Sequence, residues 1–301
     1  MIVYPLFSMF ILLFSGYLAK RVRIISPNSA IVFLDFVLWF ALPALIFDKV
    51  YHLNIDTTLI SVIITGFFSS FFAAFVAVSV GIMLKFTRPT LASIALLSLF
   101  GNTLFIGIPI TQGLYGQSVI NDVIFYDQIV TALPISILGP LILSFGAPTR
   151  VSIIQNSIKI IKFPPFIALS LALILKNFNL PEIIFDPLRM FSNSVIPVAL
   201  FAVGMKLGFN SIKSSYKSCS IVIGAKMILA PIIFLLIAKA FGFEINQKWI
   251  IGLIEVATPP MVLASAMILK ANLDSNLAIS AVAIGMITLF FTMPTLYLIA
   301  T

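Results

Sequence analysis

Apolar segments of membrane-spanning length recur along the whole chain, and they constrain its fold more than any other feature. The chain of 301 residues is 61% hydrophobic and only 9% charged, whereas a soluble domain carries about 25% charged residues. We predict ten apolar segments, which span residues 2–19, 30–47, 58–84, 91–115, 122–145, 164–176, 188–208, 216–241, 248–270 and 277–299. An α-helix needs about 20 apolar residues to cross a bilayer, and such blocks do not resemble the alternating strands of an outer-membrane barrel. The sequence therefore predicts an all-α polytopic membrane protein with ten transmembrane helices.

Basic residues concentrate in every second joint between these segments, and this asymmetry predicts the orientation of the chain. The joints after odd-numbered segments contain Lys20, Arg21, Arg23, Lys85, Arg88, Arg150, Lys159, Lys162, Lys206, Lys213, Lys217 and Lys270. The other joints contain mostly Asp and Glu. Because Lys and Arg stay on the cytoplasmic side, we expect both termini outside the cytoplasmic (inner) membrane of a bacterium. The net charge of +8 is spread over short joints, so it does not indicate a nucleic-acid-binding domain.

The fourth segment contains polar and helix-breaking residues that are not expected in a helix that only contacts lipid. Asn102 and Thr103 lie in its middle, between two glycines, and Pro109 follows. Proline has no amide hydrogen, so the carbonyl of Phe105 loses its helical partner. In hydrocarbon, an unpaired backbone group is tolerated only where protein or a wet cavity covers it. We therefore expect the helix to break here, around a site.

Prolines within the segments recur at an offset close to half the chain length. The pairs are Pro43 and Pro197, Pro109 and Pro259, and Pro134 and Pro294, which lie 154, 150 and 160 residues apart. Segments one to five (residues 1–145) and six to ten (residues 164–301) therefore look like two copies of one unit, joined by a short basic cytoplasmic connector at 146–163. An odd number of crossings inverts the second copy, as in secondary transporters whose site lies between the repeats. Chance matches among the 17 prolines are the alternative.

A second break is predicted in the ninth segment. Pro259 and Pro260 deprive the carbonyls of Glu255 and Val256 of their helical partners. If the two broken helices cross, helix N-termini that favour an anion lie beside free carbonyls that favour a cation. The two breaks together predict a site for a small carboxylate and a cotransported cation.

The residues around these breaks resemble those of a known family. Gly101-Asn102-Thr103 followed by Gly107-Ile108-Pro109 is similar to the fourth-helix motif of the auxin efflux carrier family, which includes the plant PIN proteins and bacterial malate and malonate carriers. The similarity continues at Ile196–Leu200 before Gly204, at Lys226 and Pro231, and from Glu255 to Pro260.

The resemblance implies two inverted five-helix repeats in which the broken helices four and nine cross. It also implies a scaffold of segments one, two, six and seven, through which two copies form a homodimer, and a moving bundle of the other segments. The resemblance also implies a binding role for Asn102, since the corresponding Asn of the plant carriers contacts the substrate carboxylate. The fold is similar to that of bile-acid sodium symporters as well, but Pro259 and Pro260 stand where those proteins have Gln and Asn, which disfavours sodium binding of that kind.

The candidate site residues fall into two groups. The predicted substrate-binding residues are Asn102, Thr103, Ile108, Pro109, Gln112, Thr258, Pro259 and Pro260. Three charged residues are candidates for coupling to a proton or ion, because intramembrane charges are costly and typically functional. Glu255 either carries a proton or forms an ion pair with Lys226. Asp127 either controls proton access or reaches water near the end of its segment.

These observations together predict a secondary carrier of small organic anions that works by alternating access around the crossing of helices four and nine. The expected substrates are mono- or dicarboxylates such as malate, malonate or auxin-like acids. A passive anion channel and an intramembrane enzyme are the alternatives. His52 and Cys219 are the only residues of their types, which disfavours a metal site or a Ser–His pair, and there is no nucleotide-binding loop. We expect no catalytic residues and no cofactor other than a coupled proton.

Overall fold

The computed structural model describes residues 2–26, 29–146, 163–209 and 211–300. Regular secondary structure in these ranges is helical, apart from one isolated bridge between Gly101 and Pro260. The helices are α1 Val3–Arg21, α2 Ala30–Tyr51, α3 Thr57–Met83, α4 Arg88–Leu99, α5 Ile108–Tyr115, α6 Gln117–Gly146, α7 Pro164–Leu175, α8 Phe185–Lys206, α9 Ile212–Ala240, α10 Gln247–Val256, α11 Val262–Lys270 and α12 Ser275–Ala300. Most of the predicted connector at 146–163 lies outside the described residues.

Seven helices in the described ranges are long and apolar enough to cross a membrane, namely α1, α2, α3, α6, α8, α9 and α12. Two further helices, α4 and α7, are apolar but shorter. The predicted class, an all-α polytopic membrane protein, is confirmed. The count of ten crossings and the inverted repeat stay predictions.

In the described residues, four helical stretches widen into a π turn that ends two residues before a proline. These turns are Val37–Ala41 before Pro43, Thr103–Gly107 before Pro109, Asp127–Ala132 before Pro134, and Ala225–Leu229 before Pro231. A proline cannot donate to the carbonyl four residues earlier, and its ring crowds that carbonyl. A wider turn relieves both problems. Such π turns frequently lie at functional sites, and three of these four contain a predicted site residue.

The fourth segment breaks earlier than predicted. Pro109 does not interrupt a helix, because the π turn Thr103–Gly107 continues directly into α5 and relieves the clash of the proline ring with the preceding turn. The helix ends instead at residues 100–102, and Phe100 is extended with φ −106° and ψ 118°. The break in the ninth segment occupies residues 257–261 and includes both Pro259 and Pro260.

Close packing of small residues holds α1 against α8. A Cβ atom placed on Gly16 would overlap the carbonyl oxygen of Phe201, and one placed on Gly204 would overlap that of Leu13. Small residues allow this backbone approach in membrane helices. One buried cluster joins α2, α7 and α8 to the start of α6, and a larger cluster contains Phe100 and Ala257 of the two breaks.

Candidate functional site

The two helix interruptions lie side by side, and their backbone groups form hydrogen bonds with each other. The N–H of Asn102 donates to the carbonyl of Pro259 at 2.8 Å, and the N–H of Met261 donates to the carbonyl of Phe100 at 3.1 Å. The pairing is antiparallel, with Gly101 opposite Pro260. In hydrocarbon each unpaired backbone group costs several kcal/mol, so each break stabilises the other.

Glycine is required where the two breaks meet. A Cβ atom on Gly101 would overlap the hydroxyl oxygen of Thr258 and lie 2.7 Å from Cε of Lys226. Real Cβ atoms essentially never approach a heavy atom within 3.0 Å. The glycine before Asn102 therefore permits the close contact between the breaks.

A partly open cavity of about 100 Å³ lies against the first break, and we name it the central cavity. Its polar lining comes from Asn102, Asp127, Gln128 and Ser136, and the rest is largely apolar. Asn102 is only 2% exposed, and its Nδ2 has no hydrogen-bond partner among the residues that the structure describes. A residue of the cavity wall thus carries an unpaired amide donor.

The N-terminus of α11 lines the same cavity. Met261, Val262 and Leu263 contribute to the wall, and α11 begins at Val262 and has nine residues. The first N–H groups of a helix have no partner within that helix, and the N-terminal end carries positive partial charge. The cavity therefore combines the Asn102 amide with a helix end that favours negative charge.

Asp127 is held at the cavity by hydrogen bonds from two neighbours. The Thr103 hydroxyl donates to one carboxylate oxygen, and Nε2 of Gln128 donates to the other at 2.9 Å. Oγ1 of Thr103 also lies 3.0 Å from the hydroxyl of Thr131. Asp127 is 3% exposed, so its carboxylate is buried in this conformation, and its two predicted roles stay predictions. Thr103 does not line the cavity but positions Asp127.

Glu255 and Lys226 form a second polar cluster, which lies outside the lining of the central cavity. Glu255 is fully buried, and in the described part of the chain neither carboxylate oxygen has a hydrogen-bond partner. Its carboxyl group packs against Gly107, where an added Cβ atom would overlap it. The Nζ atom of Lys226 donates to the carbonyl of Val256, the last residue of α10, at 2.7 Å.

The direct ion pair between Glu255 and Lys226, one of the two predicted alternatives, is therefore not formed within the described residues. Because α10 ends at Val256, the ammonium group of Lys226 compensates the negative end of that helix instead. The two opposite charges still interact electrostatically.

The remaining predicted residues separate into two places. The Thr258 hydroxyl donates to the carbonyl of Glu255 at 2.7 Å, so it satisfies the end of α10. Pro259 and Pro260 pack under α12, where a Cβ atom on Gly285 would lie 2.9 and 2.8 Å from their side chains.

Ile108 and Gln112 line a different cavity of about 110 Å³, which we name the second cavity. Asp48, Lys49 and Arg189 also contribute to it. The structure thus brings Asn102 and Asp127 together but leaves Gln112 elsewhere.

Sequence reasoning missed two polar residues of the central cavity, Gln128 and Ser136. Gln128 follows Asp127 directly in an otherwise apolar segment, and that neighbouring pair of polar residues was a usable signal. A lone serine in a membrane helix carries no such signal, because its hydroxyl can donate to the preceding turn, as Ser136 does to the carbonyl of Ala132.

Apolar helices with two mutually paired interruptions, set beside a small cavity, fit the class of polytopic membrane transport proteins. A family model described as "membrane transport protein" matches residues 1–297. The chain belongs to this family, the auxin efflux carrier family that its motifs resemble.

Two archaeal relatives match along nearly the whole chain. An uncharacterised transporter of Methanothermobacter thermautotrophicus is 26% identical over 294 residues, which cover 95% of this chain and 94% of the relative. An uncharacterised transporter of Methanocaldococcus jannaschii is 25% identical over 289 residues, 91% of each chain. The predicted family and a role in transmembrane transport are confirmed.

Proposed function

We propose that the protein is a secondary carrier of small organic anions and that the central cavity binds the substrate carboxylate. The observation that carries this proposal is the buried amide of Asn102, whose Nδ2 has no hydrogen-bond partner among the described residues and whose side chain lines the same cavity as the N-terminus of α11. Leaving a buried donor unpaired costs about 1–3 kcal/mol, and a bound carboxylate would recover that cost. Helix N-termini bind carboxylates for the same electrostatic reason.

The dimensions of the central cavity favour a short substrate. A volume of about 100 Å³ suits mono- or dicarboxylates of the size of malonate or malate better than auxin-like acids with an aromatic ring. Leu34, Leu38 and Phe105 line the cavity, so an apolar carbon skeleton is accommodated beside the carboxylate.

The two cavities support a carrier rather than a channel. Leu42 of α2 and Phe105 line the central cavity. Leu45 of α2 and Ile108, each three residues further along the chain, line the second cavity. One helical turn, about 5 Å, thus separates the cavities. A movement of the α5 side against α2 that opened the substrate site in the central cavity to one face of the membrane and then to the other would be alternating access.

The architecture of the carrier follows the same proposal. We infer ten crossings in two inverted five-helix repeats, residues 1–145 and 164–301, with α4–α5 and α10–α11 as the two broken crossover helices. Both termini lie outside the cytoplasmic membrane, and two copies pair through the scaffold. The mutual pairing of the breaks supports the crossover.

Proton coupling is assigned to Asp127. A substrate carboxylate in the central cavity would lie near the carboxylate of Asp127, and two carboxylates at close range cannot both stay ionised. Anion binding would therefore bring a proton to Asp127. Tyr126 and Glu255 are the other acidic groups near Asp127, and the ammonium group of Lys226 lies behind the breaks.

Asn102→Ala tests the site, with Asn193→Ala as the matched control. Asn193 is an amide of the second cavity, so its loss leaves the central cavity intact. We expect Asn102→Ala to weaken malonate or malate binding at least about tenfold, which corresponds to about 1.4 kcal/mol, while Asn193→Ala binds like the parent protein. Titration calorimetry measures the affinity, and thermal unfolding checks that both variants fold.

Unchanged affinity in Asn102→Ala would remove Asn102 from the site. Uptake into proteoliposomes separates the function classes. A carrier shows saturable uptake that counter-flow stimulates, an anion channel shows unsaturable conductance, and an enzyme returns a chemically altered acid.

A further inference from the structure

We propose that an anionic phospholipid binds in a groove between α1 and α12, with an acyl chain among aromatic rings and its phosphate on a basic cluster. The groove encloses about 210 Å³ and opens on the outer surface of the helices. Its wall includes Phe10, Phe14 and Tyr17 from α1, Phe209 beyond the end of α8, and Ile287 and Phe290 from α12.

Aromatic side chains frame the groove over two turns of α1. The rings of Phe10 and Phe290 meet edge to face at 5.9 Å, and those of Tyr17 and Phe209 do so at 6.0 Å. Ala283 forms part of the floor of the groove and is fully buried. Because its side chain is small, the space above it stays open. From Phe10 to Tyr17 the groove runs about 10 Å along the helix, which accommodates part of one acyl chain.

An apolar groove alone does not select a lipid, but one end of this groove is strongly basic. Lys20, Arg21 and Arg23 lie at the end of α1 and line an adjoining depression, and Lys206 ends α8. Within the described residues none of these four cations forms an ion pair. Four unpaired positive charges in one place repel each other, and an anion there would relieve the repulsion.

Lys20 connects the basic cluster to the groove. Its ammonium group donates to the carbonyl of Leu207 and lies 5.2 Å from the centre of the Tyr17 ring. Leu207 and Tyr17 both line the groove. Basic pockets between membrane helices bind the head groups of anionic lipids, and guanidinium groups such as those of Arg21 and Arg23 bind phosphate through paired hydrogen bonds.

The position of the groove connects the lipid to the transport site. Ile287 of α12 lies two residues after Gly285, which packs against Pro259 and Pro260 of the second break. A lipid in the groove therefore contacts the helix that supports this break. This last step rests on the proposed function, whereas lipid binding itself does not.

Native mass spectrometry of the full chain tests the proposal, with phosphatidylglycerol compared with phosphatidylcholine. We expect the parent protein to retain phosphatidylglycerol at least fivefold more than phosphatidylcholine, and Arg21→Gln/Arg23→Gln to lose this preference. Lys85→Gln/Arg88→Gln is the matched control, because it removes the same charge from another joint; it should keep the preference. Ile287→Trp fills the groove without changing charge and should reduce retention of phosphatidylglycerol.

Three outcomes would overturn the proposal. Equal retention of the two lipids by the parent protein would mean that the groove binds acyl chains without selecting the head group. Equal losses in the two charge variants would make the preference a bulk electrostatic effect. Displacement of phosphatidylglycerol by glycerol 3-phosphate at equal concentration would identify a site for a soluble phosphate. Thermal unfolding confirms that each variant is folded, and malonate binding, measured separately, tests the proposed function without reference to lipid.

Discussion

Gly107→Ala probes the contact between the π turn Thr103–Gly107 and the buried carboxyl group of Glu255. The new Cβ atom would fall well inside 3.0 Å of both carboxylate oxygens, so α5 and α10 must separate or Glu255 must change rotamer. Overpacking of this kind costs about 1–3 kcal/mol, and the better helix propensity of alanine returns at most about 1 kcal/mol. We expect a net loss of about 1–2 kcal/mol in the free energy of unfolding.

A double-mutant cycle with Glu255→Ala isolates this contact. In Gly107→Ala/Glu255→Ala the added methyl group occupies space that the carboxyl group has left, so the cost of Gly107→Ala should largely disappear. The expected coupling energy is about 1–2 kcal/mol, within the range found for residues in contact. SDS titration of the purified protein measures the four free energies of unfolding.

Gly224→Ala is the matched control for this cycle, because a Cβ atom there meets nothing within 4 Å. It should leave stability unchanged or raise it by up to about 1 kcal/mol. Additivity of Gly107→Ala and Glu255→Ala within about 0.5 kcal/mol would refute the packing of Glu255 against Gly107.

Three further variants test other parts of the structure. Malonate uptake into proteoliposomes should fall with rising pH in the parent protein. The side chain of Asp127→Asn cannot take up a proton in this range, so uptake by this variant should not change across a pH series. A retained dependence on pH would assign the proton to another group. Gly101→Ala adds a Cβ atom that overlaps Thr258 and should lower both thermal stability and malonate affinity; an unaltered affinity would separate the junction of the breaks from the site. Asp56→Ala removes the N-cap bond to the third residue of α3 at 2.8 Å and should cost about 1 kcal/mol of stability at neutral pH. A hydrogen bond from Lys248 holds the pKa of Asp56 below its usual range in the folded protein. The stability that ionised Asp56 contributes is therefore fully present above the pKa that Asp56 has in the unfolded chain, and it is lost as the pH falls through the lowered pKa of the folded state. A stability difference that persists in acid would contradict that account.

The bilayer makes much of this fold readable from the sequence. Each helix in hydrocarbon must satisfy its own backbone, so apolar segments of sufficient length become helices whatever their neighbours are. The interruption at residues 257–261 was predictable as well, because Pro259 and Pro260 remove two adjacent donors and no local rearrangement of the helix replaces both.

The first interruption depends on tertiary structure. Pro109 alone predicted a break near itself, but the π turn before it accommodates a single proline. The chain instead leaves the helix at residues 100–102, where Asn102 and Phe100 find backbone partners in Pro259 and Met261. Those partners lie about half the chain away in sequence, so no local sequence pattern could predict them.

The sequence by itself determined the class of the protein, its family, and the presence of polar groups at two breaks in apolar segments. Only the tertiary structure decided which of those groups share a cavity. Asn102 and Asp127 meet in the central cavity, while Glu255 packs behind the breaks against Gly107 and Gln112 lines the second cavity. The physical reason is that hydropathy and proline act within one helix, whereas the direction in which a side chain points depends on how neighbouring helices are rotated and packed.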